Sequence, residues 1–347
     1  MKPSVVVVGS CMIDLISYTE VLPKAGETIF GSSFKIGFGG KGANQCVAAS
    51  RLGCETALVA CVGDDTFGEN YLKNLDDDGI NKEYVTTVGN VSTGVATIVV
   101  DGKGENSIII VGGSNQKMTI NEVLKAESVI KNSKVVVCQG EISEASTKMA
   151  LLLGRKHEVV TLMNAAPADS NMDKEIYALS EYFCVNETEI LISQMNDIDV
   201  LYKQGKAEIL TGVKVNSLTE AKRACELLKE EGCLEVIITL GSEGAIYHWK
   251  EGFEHIPAPR INNVVDTTGA GDAFVGALSY FLSQSSELSR SEMIKRSCEV
   301  ASVSIQSKGT QTSFPHRKDV IKFLEGLIGI FLESLPKENA FVLLFYW

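Results

Sequence analysis

The 347-residue sequence has four scattered histidines, no C-x-x-C pair and no excess of basic residues. The sparse histidines and the lack of a C-x-x-C pair argue against a zinc site and against a disulfide framework. A formal net charge of −12 disfavours non-specific binding to nucleic acid or to an anionic membrane. No apolar run resembles a signal peptide or reaches the ~20 residues of a membrane span. We therefore expect a cytoplasmic protein, with the nucleus as the alternative, that binds neither nucleic acid nor membrane.

The remaining composition is that of a globular chain, with 45% hydrophobic and 22% charged residues. Val5–Val8 is a β-branched run typical of a strand buried on both faces. Similar runs occur at 58–62, 135–138, 159–163, 182–185 and 236–240, with helical patterns between them. Capping boxes that begin at Thr119 and Ser217 open two of these helices. This alternation predicts an α/β fold: a doubly wound, mostly parallel central sheet flanked by helices, with ligands at its carboxyl edge.

Two further extended sections, about 15–38 and 92–113, interrupt the alternation. In the second section, the turn at 101–104 joins two β-branched runs and predicts a hairpin. We expect the two sections to pair with each other as a small accessory sheet.

A glycine-rich segment, 37–45, follows the first extended section. Gly37, Gly39 and Gly42 satisfy G-x-G-x-x-G, but a dinucleotide fingerprint belongs directly after the first buried strand. Lys41 is followed by glycine, so the segment is not a Walker loop either. A nicotinamide-dependent oxidoreductase is therefore disfavoured. The segment predicts a turn that offers backbone N–H groups, Lys41 and Asn44 to a polyol or to a phosphate, at the start of a helix over 43–52.

The sequence Asp-Thr-Thr-Gly-Ala-Gly-Asp at 266–272 runs directly into an apolar helical stretch. Small residues at a helix start let a ligand approach N–H groups that have no intrahelical partner, which favours an anion. Asp272 adds a negative charge at the same place. A carboxylate facing a phosphate is chemically useful if it takes a proton from an attacking hydroxyl. The alternative is that Asp272 only caps the helix.

These two segments, together with Asn-Glu-Thr-Glu at 186–189 and the loop at 239–244, resemble the ribokinase family of carbohydrate kinases, also called the PfkB family. The resemblance covers about residues 4–318. It implies one kinase domain, 1–322, whose two extended sections form a β lid over the sugar. It also implies a homodimer that forms through this lid.

The resemblance implies phosphorylation of D-ribose at its 5-hydroxyl by ATP. Asp272 would be the general base, and the amides of Gly269, Ala270 and Gly271 would form an anion hole. The implied sugar contacts are Met12, Asp14, Gly40, Lys41, Gly42, Ala43, Asn44, Glu141 and Asp272. The implied nucleotide contacts are Asn186, Glu189 (through Mg²⁺), Thr239, Leu240, Gly241, Ser242, Glu243, Gly244, Gly271 and Cys298. The implied K⁺ ligands are Asp266, Thr268, Ser304, Ser307, Gly309 and Ser313.

The sequence departs from the family pattern at four places. Met12 and Cys298 stand where asparagine is usual, one beside the sugar and one beside the adenine. Residues 190–206 interrupt the motif that begins at 186, and the tail 323–347 is unusually apolar. Two alternatives stay open: a sibling sugar or nucleoside kinase, and a ligand-binding protein in which the insertion impairs catalysis.

Overall fold

The structure is a computed structural model that describes residues 2–186, 206–215, 217–284 and 287–325. Its strands in chain order are β1 (Val5–Val8), β2 (Met12–Tyr18), β3 (Ser33–Gly39), β4 (Thr56–Gly63), β5 (Val85–Val88), β6 (Gly94–Val100), β7 (Asn106–Val111), β8 (Val135–Gln139), β9 (Val160–Asn164), β10 (Tyr182–Asn186), β11 (Glu235–Thr239), β12 (Ala245–His248) and β13 (Phe253–Ile256).

The α-helices are α1 (Lys41–Arg51), α2 (Thr66–Asp77), α3 (Ile120–Lys125), α4 (Glu127–Lys131), α5 (Glu144–Lys156), α6 (Lys174–Leu179), α7 (Lys206–Thr211), α8 (Leu218–Glu230), α9 (Ala270–Gln284), α10 (Arg290–Ser304) and α11 (Arg317–Leu324). Short 3₁₀ helices occur at Gly113–Lys117, Gly241–Glu243 and Gln311–Ser313.

The larger sheet has nine strands in the order β13-β12-β11-β10-β9-β8-β1-β4-β5. All pairings from β5 to β11 are parallel, and β12 and β13 add an antiparallel edge. The strand order reverses between β1 and β8. In open α/β sheets such a switch point is where ligands bind. The parallel pairings from β5 to β11 confirm the predicted mostly parallel sheet.

The continuous apolar runs form the centre of this sheet because they are covered on both faces. Every residue of β1 and β8 is buried. Helices α1 and α9 pack against each other and contact β1 and β8. Gly276 makes this close helix packing possible, because a Cβ at this position would lie 2.5 Å from the Cβ of Ala48. The first turns of α1 and α9 consequently sit side by side at the carboxyl edge of the sheet.

The smaller sheet has the order β3-β2-β6-β7, so the two extended sections do pair, as the sequence predicted. The hairpin of β6 and β7 is also confirmed. Two details are corrected. Met12 and Asp14 lie inside β2, which therefore begins before residue 15, the start expected for the first extended section. Gly37 and Gly39 lie inside β3 rather than in a turn. The acid in β2 does not break the strand because it projects from one face, opposite Gly37 in register.

All nine cysteines are buried, and none takes part in a disulfide bond. Burial raises the pKa of Cys46, Cys61 and Cys298 to about 12, so their thiols stay protonated. In the described part of the chain, no helix combines the length and the hydropathy that a membrane span requires. Glu189, most of the 190–206 insertion and the tail beyond 325 lie outside the described residues.

Candidate active site

The two chain segments at the switch point are joined by hydrogen bonds. Ser10, directly after β1, donates its hydroxyl to Oε2 of Glu141 at 2.5 Å. The backbone N–H of Lys41, the first residue of α1, donates to the same carboxylate oxygen at 2.8 Å. Glu141 follows β8, so one carboxylate links the ends of β1 and β8 to the start of α1. The predicted sugar residues at 40–44 and Glu141 are thereby brought together.

Two glycines allow the start of α1 to approach the β1–β2 connection. Gly40 has a φ of 89°, and a Cβ there would lie 2.8 Å from the backbone nitrogen of Met12. A Cβ at Gly42 would lie 2.5 Å from the nitrogen of Ser10. The N–H of Ala43 then donates to the Ser10 carbonyl oxygen at 2.9 Å. Any larger side chain at 40 or 42 would push this turn away from the sheet.

Asp272 lies in the first turn of α9, and its side chain is buried at 7% exposure. Its Oδ2 accepts a hydrogen bond from Nδ2 of Asn44 at 2.9 Å. Its Oδ1 accepts one from Nε2 of Gln45, also at 2.9 Å. The carboxylate therefore faces the start of α1 and not the apolar core. This places the candidate base directly beside the segment predicted to hold the sugar.

Asp14 completes a cluster of acids in the site. Burial raises its pKa to about 7, and the negative charges of Glu141 and Asp272 add to the shift. The positive charge of Lys41 opposes it. A pocket with this many carboxylates repels anions but suits a neutral ligand with several hydroxyl donors. The electrostatics thus favour a polyol at this end of the site.

The loop before α9 offers backbone donors beside Asp272. Gly269 has a φ of 79°, which the left-handed turn into the helix requires. A Cβ added to Gly271 would meet nothing within 4 Å, so open space lies in front of its backbone. The N–H of Ala270 donates to the carbonyl oxygen of Thr267 at 3.2 Å. The Ala270 amide is therefore already engaged within the loop, whereas space is open beside Gly271.

The predicted nucleotide residues follow two neighbouring strands. Asn186 ends β10 and pairs in register with Thr239, which ends β11. The turn after β11 is closed by the N–H of Leu240, which donates to the Gly244 carbonyl oxygen at 2.7 Å. Gly244 has a φ of 95°, and a Cβ there would lie 2.1 Å from the carbonyl oxygen of Ile256. The 3₁₀ turn between Leu240 and Gly244 contains Gly241, Ser242 and Glu243.

Cys298 lies on α10, which packs against β12, the strand that follows this turn. Its side chain is buried, and its protonated thiol is a weak hydrogen-bond donor compared with an asparagine amide. A side-chain contact of the asparagine type with a base is therefore not available from residue 298.

The predicted cation residues come from two segments that Asp266 holds together. Its Oδ1 accepts the N–H of Thr268 at 3.0 Å, and its Oδ2 accepts the N–H of Gly309 at 2.9 Å. Ser304 and Ser313 are buried and donate their hydroxyls to carbonyl oxygens three residues earlier. Their hydroxyl oxygens keep lone pairs for a cation. Ser307 is exposed, and its N–H donates to the Ser304 carbonyl oxygen at 3.2 Å.

Sequence analysis assigned no role to several side chains that the structure places in this site. Gln139 and Asn164 are the last residues of β8 and β9, and a polar residue that ends a buried apolar strand is the signal that could have identified them. The others carry no charge and no distinctive spacing; they are Ser10, Gln45, Tyr71, Asn74, Asn115 and Gln311.

Known proteins resemble this chain in sequence and in fold. Residues 2–317 match the family model described as pfkB family carbohydrate kinase. A ribokinase from Mus musculus is 46% identical over 319 residues, which cover 91% of this chain and 93% of the relative. A deoxyribokinase from Salmonella typhi is 36% identical over 320 residues, which cover 92% of this chain and 98% of that relative.

Among solved structures, Arabidopsis thaliana ribokinase complexed with ribose and ATP superimposes with a TM-score of 0.81 at 29% identity. The match covers 94% of this chain and 99% of that one. The chain belongs to the pfkB family of carbohydrate kinases.

Proposed function

We propose that this protein transfers the γ-phosphoryl group of ATP to the 5-hydroxyl of D-ribose. The observation that carries the proposal is the position of Asp272, in the first turn of α9 and hydrogen-bonded to Asn44 of the sugar segment. The sugar oxygen attacks the γ-phosphorus, its proton passes to Asp272, and the bond to the β–γ bridging oxygen breaks to release ADP. Ribose 5-phosphate is the other product.

The sugar lies between the start of α1 and the lid. Asp14 and Glu141 accept hydrogen bonds from the secondary hydroxyls, while Asn44 and the backbone at 40–43 contribute further contacts. Met12 lies on the same face of β2 as Asp14, because residues two apart in a strand share a face. The Arabidopsis relative is solved in complex with ribose and ATP, which supports these two molecules as substrates.

The phosphates of ATP lie over the opening of α9, where the amides of Gly269 and Gly271 meet the charge that develops on the transferring group. The remainder of the nucleotide follows the ends of β10 and β11, from Asn186 to the turn at 239–244. Mg²⁺ keeps most of its water ligands in such sites, and Glu189 would orient these waters. When bound, the ion neutralises phosphate charge.

K⁺ would lie beside the anion hole. Carboxylate, hydroxyl and carbonyl oxygens are the hard ligands that this ion accepts, and Asp266 already joins the two loops that supply them. The chemistry of these oxygens fits the ion. Its contribution would be to hold the 266–268 loop, and with it the start of α9, in one conformation.

The substitution Asp272→Asn tests the proposal. It keeps the size of the side chain and removes the base, so kcat should fall by roughly 10²–10⁴-fold. ADP release is measured with ribose and ATP, with and without K⁺. Ribose and ATP should still bind to the variant in calorimetry. A variant that retains more than a tenth of wild-type kcat would exclude Asp272 as the base.

A second candidate substrate is 2-deoxyribose. The methionine at 12 offers no side-chain hydrogen bond to a hydroxyl, so a sugar that lacks one hydroxyl would leave no polar group unpaired there. The similarity to a deoxyribokinase agrees with this argument. Competition between ribose, 2-deoxyribose, fructose and adenosine in one coupled assay distinguishes the candidates through the ratios of kcat/KM.

The homodimer would form through the lid. Four consecutive residues of β7 expose more than half of their apolar side chains, with Ile109 at 67%. Phe34 and Ile36 of β3 are also more than half exposed. A second copy of the chain is the occupant that this surface suits, because covering it would remove the apolar area from water.

A further inference from the structure

Two rows of side-chain amides end at the carboxylate of Asp272. In the first row, Nε2 of Gln139 donates to Oε1 of Gln45 at 2.7 Å. Nε2 of Gln45 then donates to Oδ1 of Asp272 at 2.9 Å and to Oδ1 of Asn164 at 3.0 Å. Both hydrogens of the Gln45 amide are thereby used, and all four side chains are buried.

The second row reaches the other carboxylate oxygen from the opposite side. Nδ2 of Asn74 donates to Oε1 of Gln311 at 2.9 Å. Nε2 of Gln311 donates to Oδ1 of Asn44 at 3.0 Å, and Nδ2 of Asn44 donates to Oδ2 of Asp272 at 2.9 Å. Tyr71 fixes Gln311 further, because its hydroxyl oxygen accepts from the same amide at 3.2 Å.

Both rows have the same polarity, with every NH₂ group turned toward Asp272. An ionised carboxylate only accepts hydrogen bonds, so the atoms that face it must be nitrogens. This choice fixes each amide further along the row. The consequence is visible at Gln139: its nitrogen is committed to Gln45, and its Oε1 is buried with no hydrogen-bond partner in the described structure. That oxygen faces Gly9, where a Cβ would lie 2.2 Å away.

We propose that Gln45 and Gln311 are positioning residues that hold the carboxylate of Asp272 in the orientation from which it takes the proton. The inference rests on the proposed function, since it assumes that Asp272 is the base. Each carboxylate oxygen receives one neutral N–H donor. Two donors fix the rotation of the group, and neither brings a positive charge that would make the base too weak.

The two residues differ in what else they touch. The side chain of Gln45 hydrogen-bonds to Gln139, Asn164 and Asp272, and we assign none of these three to the sugar's secondary hydroxyls. Gln311 acts through Asn44, which we assign to the sugar. Loss of Gln45 should therefore change kcat alone, whereas loss of Gln311 should change both kcat and the KM for sugar.

The test compares Gln45→Met and Gln311→Met with the unchanged chain. Each substitution keeps the side-chain length and removes the donor. A small displacement of a reacting group can lower rates by about 10²-fold, so we expect kcat to fall at least ~10-fold in both. The acidic limb of kcat against pH should move to higher pH, because the ionised carboxylate loses a donor. The KM for ribose should rise only in Gln311→Met.

Asp272 shares the site with Asp14 on β2, Glu141 after β8 and Lys41 at the start of α1, since the charges of Glu141, Asp272 and Lys41 all act on Asp14. None of these charged groups is altered by the variants, so a shift in the acidic limb of kcat against pH is caused by the loss of the amide donor. Ser180→Ala serves as the control. It removes a buried hydroxyl that donates to the Ile176 carbonyl oxygen at 2.6 Å, at the amino end of β10. It should lower Tm and leave the pH profile unchanged.

Gln139→Met provides a second route if Gln45→Met does not fold. It removes the outer donor together with the unpaired oxygen, and it should move the limb in the same direction with a smaller loss of kcat. An unmoved limb with kcat within twofold of wild type would overturn the inference while leaving the proposed function intact. Absence of ribose-dependent ADP release from the unchanged chain would overturn both.

Discussion

At the scale of single residues, Asp14 combines the proposed sugar contact with a cost in stability. Its pKa is raised to about 7 by burial and by the nearby acids, whereas aspartate in an unfolded chain titrates near about 4. The folded protein therefore favours the protonated form more than the unfolded chain does. The contribution of Asp14 to the free energy of unfolding is fully present below about pH 4, falls as the pH rises, and is lost above about pH 7. The proposed sugar contact would thus use a carboxylate whose ionised form the fold disfavours.

Asp14→Asn should remove this penalty and the sugar contact together. At pH 8 we expect the variant to melt about 2 °C or more above wild type, and the difference should vanish near pH 4. The KM for ribose should rise by about 10-fold or more, since two acceptor oxygens become one. Thermal melts from pH 4 to 8 and steady-state kinetics provide the measurements. A difference in Tm that is the same at every pH would contradict the assignment.

Acids of the site could be recognised from the sequence, and amides could not. Asp272 stands in a segment of unusual composition, and Glu141 follows a buried strand. Gln45 has neither signal, because its role depends on Asp272, which is 227 positions away in sequence. A neutral amide becomes meaningful only when the fold shows which carboxylate it faces.

At the scale of elements, the lid is tied to the large sheet through Asn115. Its Oδ1 accepts the N–H of Cys11 at 2.8 Å, and its Nδ2 donates to the carbonyl oxygens of Cys11 at 2.7 Å and Gly112 at 3.1 Å. Cys11 lies where the chain enters β2, and Gly112 lies where it leaves β7. One buried side chain therefore joins two of the four connections between the lid and the rest of the molecule.

Asn115→Ala should loosen both connections. Two buried backbone groups of Cys11 lose their partner, at about 1–3 kcal/mol each, so unfolding by urea should show a loss of stability of about 2 kcal/mol or more. We expect the KM for ribose to rise more than kcat falls, because the lid is proposed to cover the sugar. Asn132→Ala is the matched control, since it removes an exposed amide that donates to the Ser128 carbonyl oxygen. Equal effects from both variants would argue against a special role of Asn115.

Buried parallel strands were predictable as elements because their β-branched runs have no other stable environment. The edge strands β12 and β13 were not, since Phe253–Ile256 alternates with polar residues and pairs only through its neighbour. Strand β2 was missed at its start for a related reason. Asp14 looks like the end of a strand until the face it projects from is known.

At the scale of the whole molecule, the proposed homodimer would use the face of the lid that points away from Asp14. Ile109 lies opposite Thr97 in register, and Thr97 lies opposite Leu15, so Ile109 projects away from the face of Asp14. Ile109→Asp should abolish the proposed homodimer without entering the sugar site. Light scattering after size exclusion should then give a monomer, about half the wild-type mass.

Leu218→Asp is the control for this experiment, because Leu218 is also partly exposed, at 46%, but begins α8, outside the lid. It should leave the mass unchanged. A wild-type chain that is already monomeric at micromolar concentration would exclude the lid dimer.

The burial of all nine thiols has a practical consequence. Because the thiols are buried in the folded state, alkylating reagents can react only when part of the protein opens. The rate at which each cysteine is alkylated therefore reports how often its own surroundings open. The alkylation rate of Cys11, at the entry to the lid, would report local opening of the lid sheet, while the rate of Cys138 in β8 would report global unfolding. Bound sugar should lower the alkylation rate of Cys11 far more than that of Cys138.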